Sequence, residues 1–197
     1  YSQFVQQTER TFNRTLKKLN EGDRIVLICS DVKSFYPSIE RSGISELIKS
    51  RSNKDLWPMI DLIFGRYRVK LSRGQTEVEQ KLEKIGIAQG PAHSGFWANV
   101  YLQDFDQWVT RTLPQKLRQN KLKCGLEFYA RYVDDIRIIF RVNTESSDVL
   151  TKQVKDYLVE YLKLINLSLS DDKTSEIVQD ATGSLLSTGQ VAERMQS

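Results

Sequence analysis

The sequence is poor in the residues that build disulfide frameworks and histidine-based sites. Two cysteines occur among 197 residues, Cys29 in an apolar run and Cys124 far from it, so there is neither a disulfide framework nor metal-ligand spacing. The single histidine, His93, has no cysteine or acid at ligand spacing, which argues against a zinc site or a histidine triad. We therefore expect a reducing, cytoplasmic setting.

Long apolar runs are absent as well. No stretch approaches the roughly 20 residues that a membrane helix needs, so we expect no membrane partner.

The net charge of +4 fits a nucleic-acid partner without establishing one. The length suits a single domain, and the start at Tyr1 together with a polar, aperiodic stretch at 179–197 suggests a piece of a longer protein.

Hydrophobic periodicity predicts alternating groups of helices and strands. The predicted helices are residues 3–20, 42–50, 55–64, a long helix after Pro91 that extends to about 113, and 147–165. The predicted strands are residues 24–30, 126–132, 136–142 and 167–170. A charged hairpin is predicted at about 66–84, and its basic residues could either follow a phosphate backbone or simply be solvated.

The order of these elements indicates the fold class. Strand, helices, hairpin, helix and strand follow one another, which is the α+β, ferredoxin-like (split βαβ) plan of an antiparallel sheet with helices on one face. We divide the chain into a leading helix at 1–23, the main body at 24–178 and a polar tail at 179–197.

Three acids stand at the ends of predicted strands. Asp31 follows the apolar run at 24–30, and Asp134 with Asp135 occupies the tip of the predicted hairpin. Aspartate is common in hairpin turns, and a bare pair would be read that way. Because the two strands are neighbours in this topology, the carboxylates should converge, and hard cations such as Mg²⁺ prefer such oxygen ligands. The pattern predicts a two-metal site for phosphoryl transfer.

Four sequence blocks carry a resemblance to a known family. YVDD at 132–135 resembles motif C of reverse transcriptases, and SDVKSFYPSI at 30–39 resembles motif A. GIAQGPAHSGFWANVYL at 86–102 is similar to motif B of group II intron, retron and abortive-infection reverse transcriptases, and LSLSDDKT at 167–174 to motif D. The resemblance implies that residues 24–178 form a polymerase palm, accompanied by part of the fingers. It also implies that the leading helix at 1–23 lies at the junction of fingers and palm, and that the tail at 179–197 leads to a thumb outside this sequence.

The resemblance also implies a metal and proton-transfer site. By analogy with the family, Asp31 and Asp134 would bind two Mg²⁺ ions, with the backbone carbonyl of Val32 as a further ligand and Asp135 in support. Lys173 would act as a general acid towards the leaving pyrophosphate. A salt-bridged surface lysine is the alternative for that position.

A nucleotide-binding set follows from the same resemblance. Ser34 and Phe35 would offer backbone amides to the triphosphate, and Tyr36 holds the family's steric-gate position, where an aromatic ring excludes a 2′-hydroxyl. Gln89 and Gly90 would lie near the incoming nucleotide and the templating base.

The resemblance implies an RNA-directed DNA polymerase that adds deoxynucleoside triphosphates to a 3′-hydroxyl, working in bacterial anti-phage defence. Its partners would be an RNA template and a DNA product, and a non-coding RNA, a protein partner or a homo-oligomer stays open. Template-independent or protein-primed synthesis is one alternative, and a non-catalytic RNA-binding scaffold is another. An RNA polymerase on the same palm is a further alternative, against which Tyr36 argues.

Overall fold

The computed structural model describes residues 1–66 and 85–188. The chain divides into two compact units, one made of Tyr1–Lys33 with Phe105–Ser197 and the other of Ser34–Asp104. The predicted charged hairpin lies almost entirely outside the described residues.

Helices and strands follow the predicted order. The helices are α1 (Ser2–Leu16), α2 (Phe35–Ser38), α3 (Arg41–Arg51), α4 (Trp57–Arg66), α5 (Ala92–Tyr101), α6 (Gln103–Gln119) and α7 (Ser147–Leu164). The strands are β1 (Asp23–Asp31), β2 (Cys124–Tyr132), β3 (Asp135–Asn143), β4 (Ser175–Asp180) and β5 (Leu185–Thr188). Short 3₁₀ turns precede α4, α7 and β4.

The first unit is built on an antiparallel sheet in the order β2-β3-β1-β4-β5. β1 is therefore central, and its pairing with β3 runs from Asp23 opposite Asn143 to Asp31 opposite Asp135. The α+β fold with an antiparallel sheet is confirmed. The predicted neighbourhood of the two strands that carry the acids is confirmed too.

The apolar run of β1 explains its central position. Ile25, Val26, Leu27 and Ile28 are all at most 1% exposed, and successive strand residues point to opposite faces, so both faces of β1 are covered. Phe12 of α1 packs with the alternate residues Ile25 and Leu27. A continuous apolar run such as that at 24–30 is typical of a strand covered on both faces, and the burial of β1 agrees with it.

The second unit joins α2 to the segment that leads into α5. The amide of Gly86 donates to the carbonyl of Ile39 (2.8 Å), and the amide of Ile87 donates to the carbonyl of Tyr36 (3.0 Å). Gly86 has φ +86°, and a Cβ there would lie 3.1 Å from the carbonyl oxygen of Pro37. A side chain at this position would therefore force the two segments apart.

Two local predictions were wrong. The strand expected at 167–170 is reduced to one bridge between Leu169 and Val32, and the fourth strand is instead β4, eight residues further along the chain. The long helix after Pro91 breaks into α5 and α6 at Leu102, whose φ and ψ of −95° and 6° leave the helical region. Strand β5 was not anticipated.

No helix within the described ranges is both long enough and apolar enough to cross a membrane. Neither Cys29 nor Cys124 forms a disulfide within the described ranges.

Candidate active site

The hairpin between β2 and β3 turns within two residues. Tyr132 and Asp135 are paired across the ladder, which leaves Val133 and Asp134 as the turn. Val133 has φ +58°, a left-handed conformation that is rare for a β-branched residue and costs on the order of 1–3 kcal/mol. The turn is thus strained, and it presents Asp134 at the tip.

The end of β1 lies against this turn. Asp31 is the register partner of Asp135, and the amide of Val32 donates to the carbonyl of Asp134 (3.1 Å). Asp31 is 8% exposed, whereas Asp134 and Asp135 are half-buried. The structure therefore brings the three predicted acids together at one end of the sheet.

The segment before β4 forms the other side of the site. The amide of Ser170 donates to the carbonyl of Asp31 (2.8 Å), and the amide of Lys33 donates to the carbonyl of Ser168 (2.8 Å). Lys173 follows in a 3₁₀ turn, and its Nζ lies 3.2 Å from Oδ1 of Asp31. The predicted lysine is thus placed beside the acids.

Negative charge is concentrated here. Burial, followed by the charges of Asp31 and Asp135, raises the pKa of the Asp134 carboxyl above its ordinary value, while Lys173 opposes the shift. Ionisation of Asp134 is therefore disfavoured in the fold. A bound cation would offset this repulsion.

The donor set fits a hard divalent cation. Mg²⁺ takes oxygen ligands and is usually held by one or two carboxylates, with water and substrate phosphates completing the octahedron. Among the residues that the structure describes, no three His, Cys, Asp or Glu side chains are gathered closely enough to hold a metal by themselves. The arrangement suits a metal whose coordination the substrate completes.

A partly buried ion pair supports the hairpin turn. Arg131, with its side chain 5% exposed, donates from Nε and Nη2 to the two carboxylate oxygens of Asp106 on α6 (2.9 and 2.8 Å). Its Nη1 donates to the carbonyl of Val133 (2.7 Å), and the Tyr129 hydroxyl donates to Asp106 (2.5 Å). Burial, then the charge of Asp106, raises the pKa of Tyr129, so the phenol stays protonated. Arg131 thus fixes the carbonyl at the strained position.

Sequence reasoning missed this support. Arg131 and Tyr129 share one face of β2, whereas Tyr132 on the other face contacts the rings of Tyr1 and Phe4. A charged residue on the same face as a buried tyrosine, directly before a turn, is the signal that could have identified Arg131. Its partner Asp106 lies 25 residues earlier on a helix and carries no local signal.

The predicted nucleotide-binding residues lie in the second unit. Ser34 has φ +47° and precedes α2, the Phe35 side chain is buried, and Tyr36 is half-buried. Gln89 and Gly90 are exposed at the end of the segment that Ile87 ties to Tyr36, and Gly90 has φ +113°. Within this unit, the backbone of Tyr36 is therefore hydrogen-bonded to Ile87, which precedes Gln89 by two residues.

Comparison with known proteins agrees with these observations. A family model described as reverse transcriptase (RNA-dependent DNA polymerase) matches residues 2–188. No curated protein sequence matches the chain.

Solved telomerase structures from Candida tropicalis share the fold. An apo form truncated from the C-terminal domain is 17% identical to this chain, with a TM-score of 0.54. The match covers 95% of this chain and 40% of the telomerase chain. The apo form is 16% identical with a TM-score of 0.52, covering 94% and 36%. A complex with a fragment of telomeric RNA is 21% identical with a TM-score of 0.55, covering 91% and 30%. The chain spans less than half the length of these telomerases.

The raised pKa of Asp134 predicts a gain in stability on neutralisation. A carboxyl whose folded pKa exceeds the unfolded value of about 3.9 stabilises the fold at low pH and loses that contribution as pH rises through the folded pKa. With a chelator present, Asp134→Asn should therefore melt at a higher temperature than wild type at pH 7. The difference should shrink below about pH 4. A lower melting temperature for the variant at pH 7 would contradict the repulsion.

The contacts of Arg131 predict that it supports metal binding. Arg131→Lys keeps the charge but cannot reach both Asp106 and the carbonyl of Val133. Loss of a group that orients a ligand commonly weakens metal affinity by about 10–100-fold. The rise in melting temperature during Mg²⁺ titration should therefore require at least about tenfold more Mg²⁺. Arg141→Lys, which alters an exposed pair with Glu127, is the control and should titrate as wild type.

Proposed function

The chain belongs to the reverse transcriptase (RNA-dependent DNA polymerase) family, and we propose that it catalyses RNA-directed DNA synthesis by adding deoxynucleoside triphosphates to a 3′-hydroxyl. The observation that carries this proposal is the register of β1 and β3, which sets Asp31 opposite Asp135 and ties Val32 to Asp134.

In the proposed mechanism, Asp31 and Asp134 would hold the two catalytic metals and Asp135 would add charge. Two bound Mg²⁺ ions supply activation of the attacking 3′-hydroxyl and stabilisation of the leaving pyrophosphate. The peptide of Val32 supports its assignment as a further ligand. Its amide already faces the Asp134 turn, and the carbonyl of a strand residue points to the same side as its amide.

We assign Lys173 as the proton donor to the leaving pyrophosphate. Its ammonium lies 3.2 Å from Asp31 and its side chain is 48% exposed, so it reaches the acids while remaining open to substrate. The Thr174 hydroxyl contacts the Ser30 hydroxyl (3.0 Å) and donates to the carbonyl of Ser170 (3.0 Å). These contacts anchor the chain beside Lys173.

For the nucleotide, we assign the triphosphate to the amides of Ser34 and Phe35, and the sugar to Tyr36. The left-handed Ser34 and the short α2 turn the chain immediately after Lys33, which favours exposed amides there. Gln89 and Gly90 are assigned to the incoming base and its template partner. The hydrogen bond from Ile87 to Tyr36 supports a common site for these residues.

We further propose a bacterial anti-phage role with an RNA template and a DNA product, on the resemblance of FYPSI at 35–39 and QGPAHSG at 89–95 to defence reverse transcriptases. The likeness to telomerases extends to the fold alone. Template-independent or protein-primed synthesis is the second candidate within the same chemistry. A non-catalytic scaffold would not require three acids, and all three lie at the same end of the sheet.

Removal of either principal acid tests the reaction. In the full-length protein, Asp31→Asn or Asp134→Asn should lower deoxynucleotide incorporation on a primed RNA template by several orders of magnitude, because each removes a metal ligand. Thermal melting checks that each variant is folded, and Asp61→Asn on the exposed surface serves as the control. Wild-type rates in either acid variant would refute the site. Equal wild-type incorporation with and without template would favour the second candidate.

Sugar selection tests Tyr36 separately. If its ring occupies the space of a ribose 2′-hydroxyl, a ribonucleotide must displace the ring or shift its triphosphate, and a misplacement of about 1 Å can cost on the order of a hundredfold in rate. Tyr36→Ala should raise ribonucleotide incorporation by about that factor and change deoxynucleotide incorporation much less. The measurement is the ratio of kcat/KM for the two sugars in each protein. An unchanged ratio would contradict the gate.

A further inference from the structure

A cleft of about 620 Å³ opens at the end of the sheet opposite the acids. It lies where β1 starts and β3 ends, and Asp23 and Asn143 are paired there. Eight residue steps of about 3.3 Å separate Asp23 from Asp31 along β1, so the cleft lies about 26 Å from the acids. It is therefore a separate surface from the candidate active site.

The cleft is strongly basic. Four of its lining residues are cationic, Arg118, Lys121, Lys123 and Arg141, and Asp23 is its one acid. Arg141 pairs with Glu127 (3.3 Å), whereas the other three cations form no ion pair within the described part of the chain. Mutual repulsion of cations in one cleft costs free energy unless an anion occupies it. We call this surface, defined by the four cations and Asp23, the basic cleft.

Ordinary structural roles account for part of this charge. Arg118 lies in the last turn of α6, where a cation interacts favourably with the helix C-terminus. Lys123 directly precedes the edge strand β2, where lysine discourages pairing with other chains. Neither role explains Lys121, which lies beyond the helix and off the sheet.

Lys121 occupies a backbone position that favours glycine. Its amide donates to the carbonyl of Arg118 (2.9 Å), and the amide of Leu122 donates to the carbonyl of Leu117 (3.2 Å). These two bonds form a Schellman motif, in which the residue at the position of Lys121 adopts the left-handed conformation and is usually glycine. The φ of Lys121 is +64°. The fold thus accepts strain at the residue that adds a cation to the cleft.

We propose that the basic cleft binds the phosphate backbone of single-stranded nucleic acid, and that the occupant is an RNA strand engaged by the polymerase. None of the described residues that line the cleft is aromatic, so base stacking contributes little and the contacts are made to phosphate, independently of sequence. The choice of RNA as the occupant rests on the proposed function. The attraction of the cationic cleft for a phosphate backbone is independent of that function.

The distance between the acids and the basic cleft allows one bound strand to contact both. In duplex-like geometry, at about 3.4 Å per step, about eight phosphates of one strand cover this span, and a more extended single strand covers it with fewer. A strand too short to cover the span cannot occupy the active site and the basic cleft together. The cleft should therefore raise affinity for long strands and leave nucleotide addition on a short primed template unchanged.

The first experiment measures fluorescence anisotropy of a labelled 24-nucleotide RNA, in two unrelated sequences, with the full-length protein at several salt concentrations. Lys121→Gln/Lys123→Gln should weaken binding on the order of tenfold at 0.1 M salt and reduce the slope of log affinity against log salt by about 1.4, the value for two lost contacts to a single strand. The matched control is Lys152→Gln/Lys163→Gln, which removes the same charge from exposed positions of α7 outside the cleft. Unchanged affinity in the first variant, or equal losses in both, would overturn the proposal. A matched DNA that binds much more tightly than RNA would overturn the choice of RNA.

The second experiment separates binding from stability through Lys121→Gly. Glycine relieves the left-handed strain, so the melting temperature should rise by about 2–4 °C while RNA affinity falls. A rise in melting temperature with unchanged affinity would overturn the proposal. RNA binding and DNA synthesis are measured side by side on the wild type, because binding to the basic cleft needs no catalysis. Failure of DNA synthesis in the wild type would thus refute the proposed function and leave the cleft assignment intact.

Discussion

The register in which β1 pairs with β3 is the constraint on which the rest of the site depends. A slip of one residue would turn every side chain of β1 to the opposite face and carry Asp31 away from Asp135. The four consecutive buried residues from Ile25 to Ile28 oppose such a slip, because each would have to repack among the side chains of the opposite face. Each buried aliphatic side chain contributes about 1.5–3 kcal/mol, so the core sets the geometry that the acids inherit.

At the acidic end the fold departs from ordinary rules of stability. Val133 adopts a left-handed backbone conformation, Asp134 lies among like charges, and Arg131 is buried. A charge pair of this kind contributes little net stability, but removal of Asp106 would leave the largely buried guanidinium of Arg131 without its partner. The pair of Arg131 and Asp106 is thus better understood as a geometric restraint on the turn. Departures from local rules of this kind are concentrated at functional sites.

These features explain how far the sequence alone could lead. The central strand, the hairpin and the acids were predictable because a continuous apolar run, period-two alternation and a two-residue turn are local signals. The strand predicted at 167–170 was wrong, because alternation of apolar and polar residues indicates which side chains are buried but not which strand they pair with. Within this segment only Leu169 forms a bridge, to Val32. The break at Leu102 and the partnership of Arg131 with Asp106 depend on tertiary contacts, which no periodicity encodes. The residue types were visible, but their pairing was not.

The two ends of β1 carry opposite charges, and a nucleic acid therefore meets a different electrostatic environment at each end. A polyanionic strand is repelled by Asp31, Asp134 and Asp135 until cations neutralise them, so attraction at the acidic end depends on bound metal. The basic cleft needs no metal to attract phosphate. At physiological ionic strength the screening length is about 8 Å, much shorter than the 26 Å or so between the ends, so neither end cancels the field of the other. A sheet of this length can therefore hold a metal-dependent site and a metal-independent site on one strand, and the modest net charge of +4 conceals the separation.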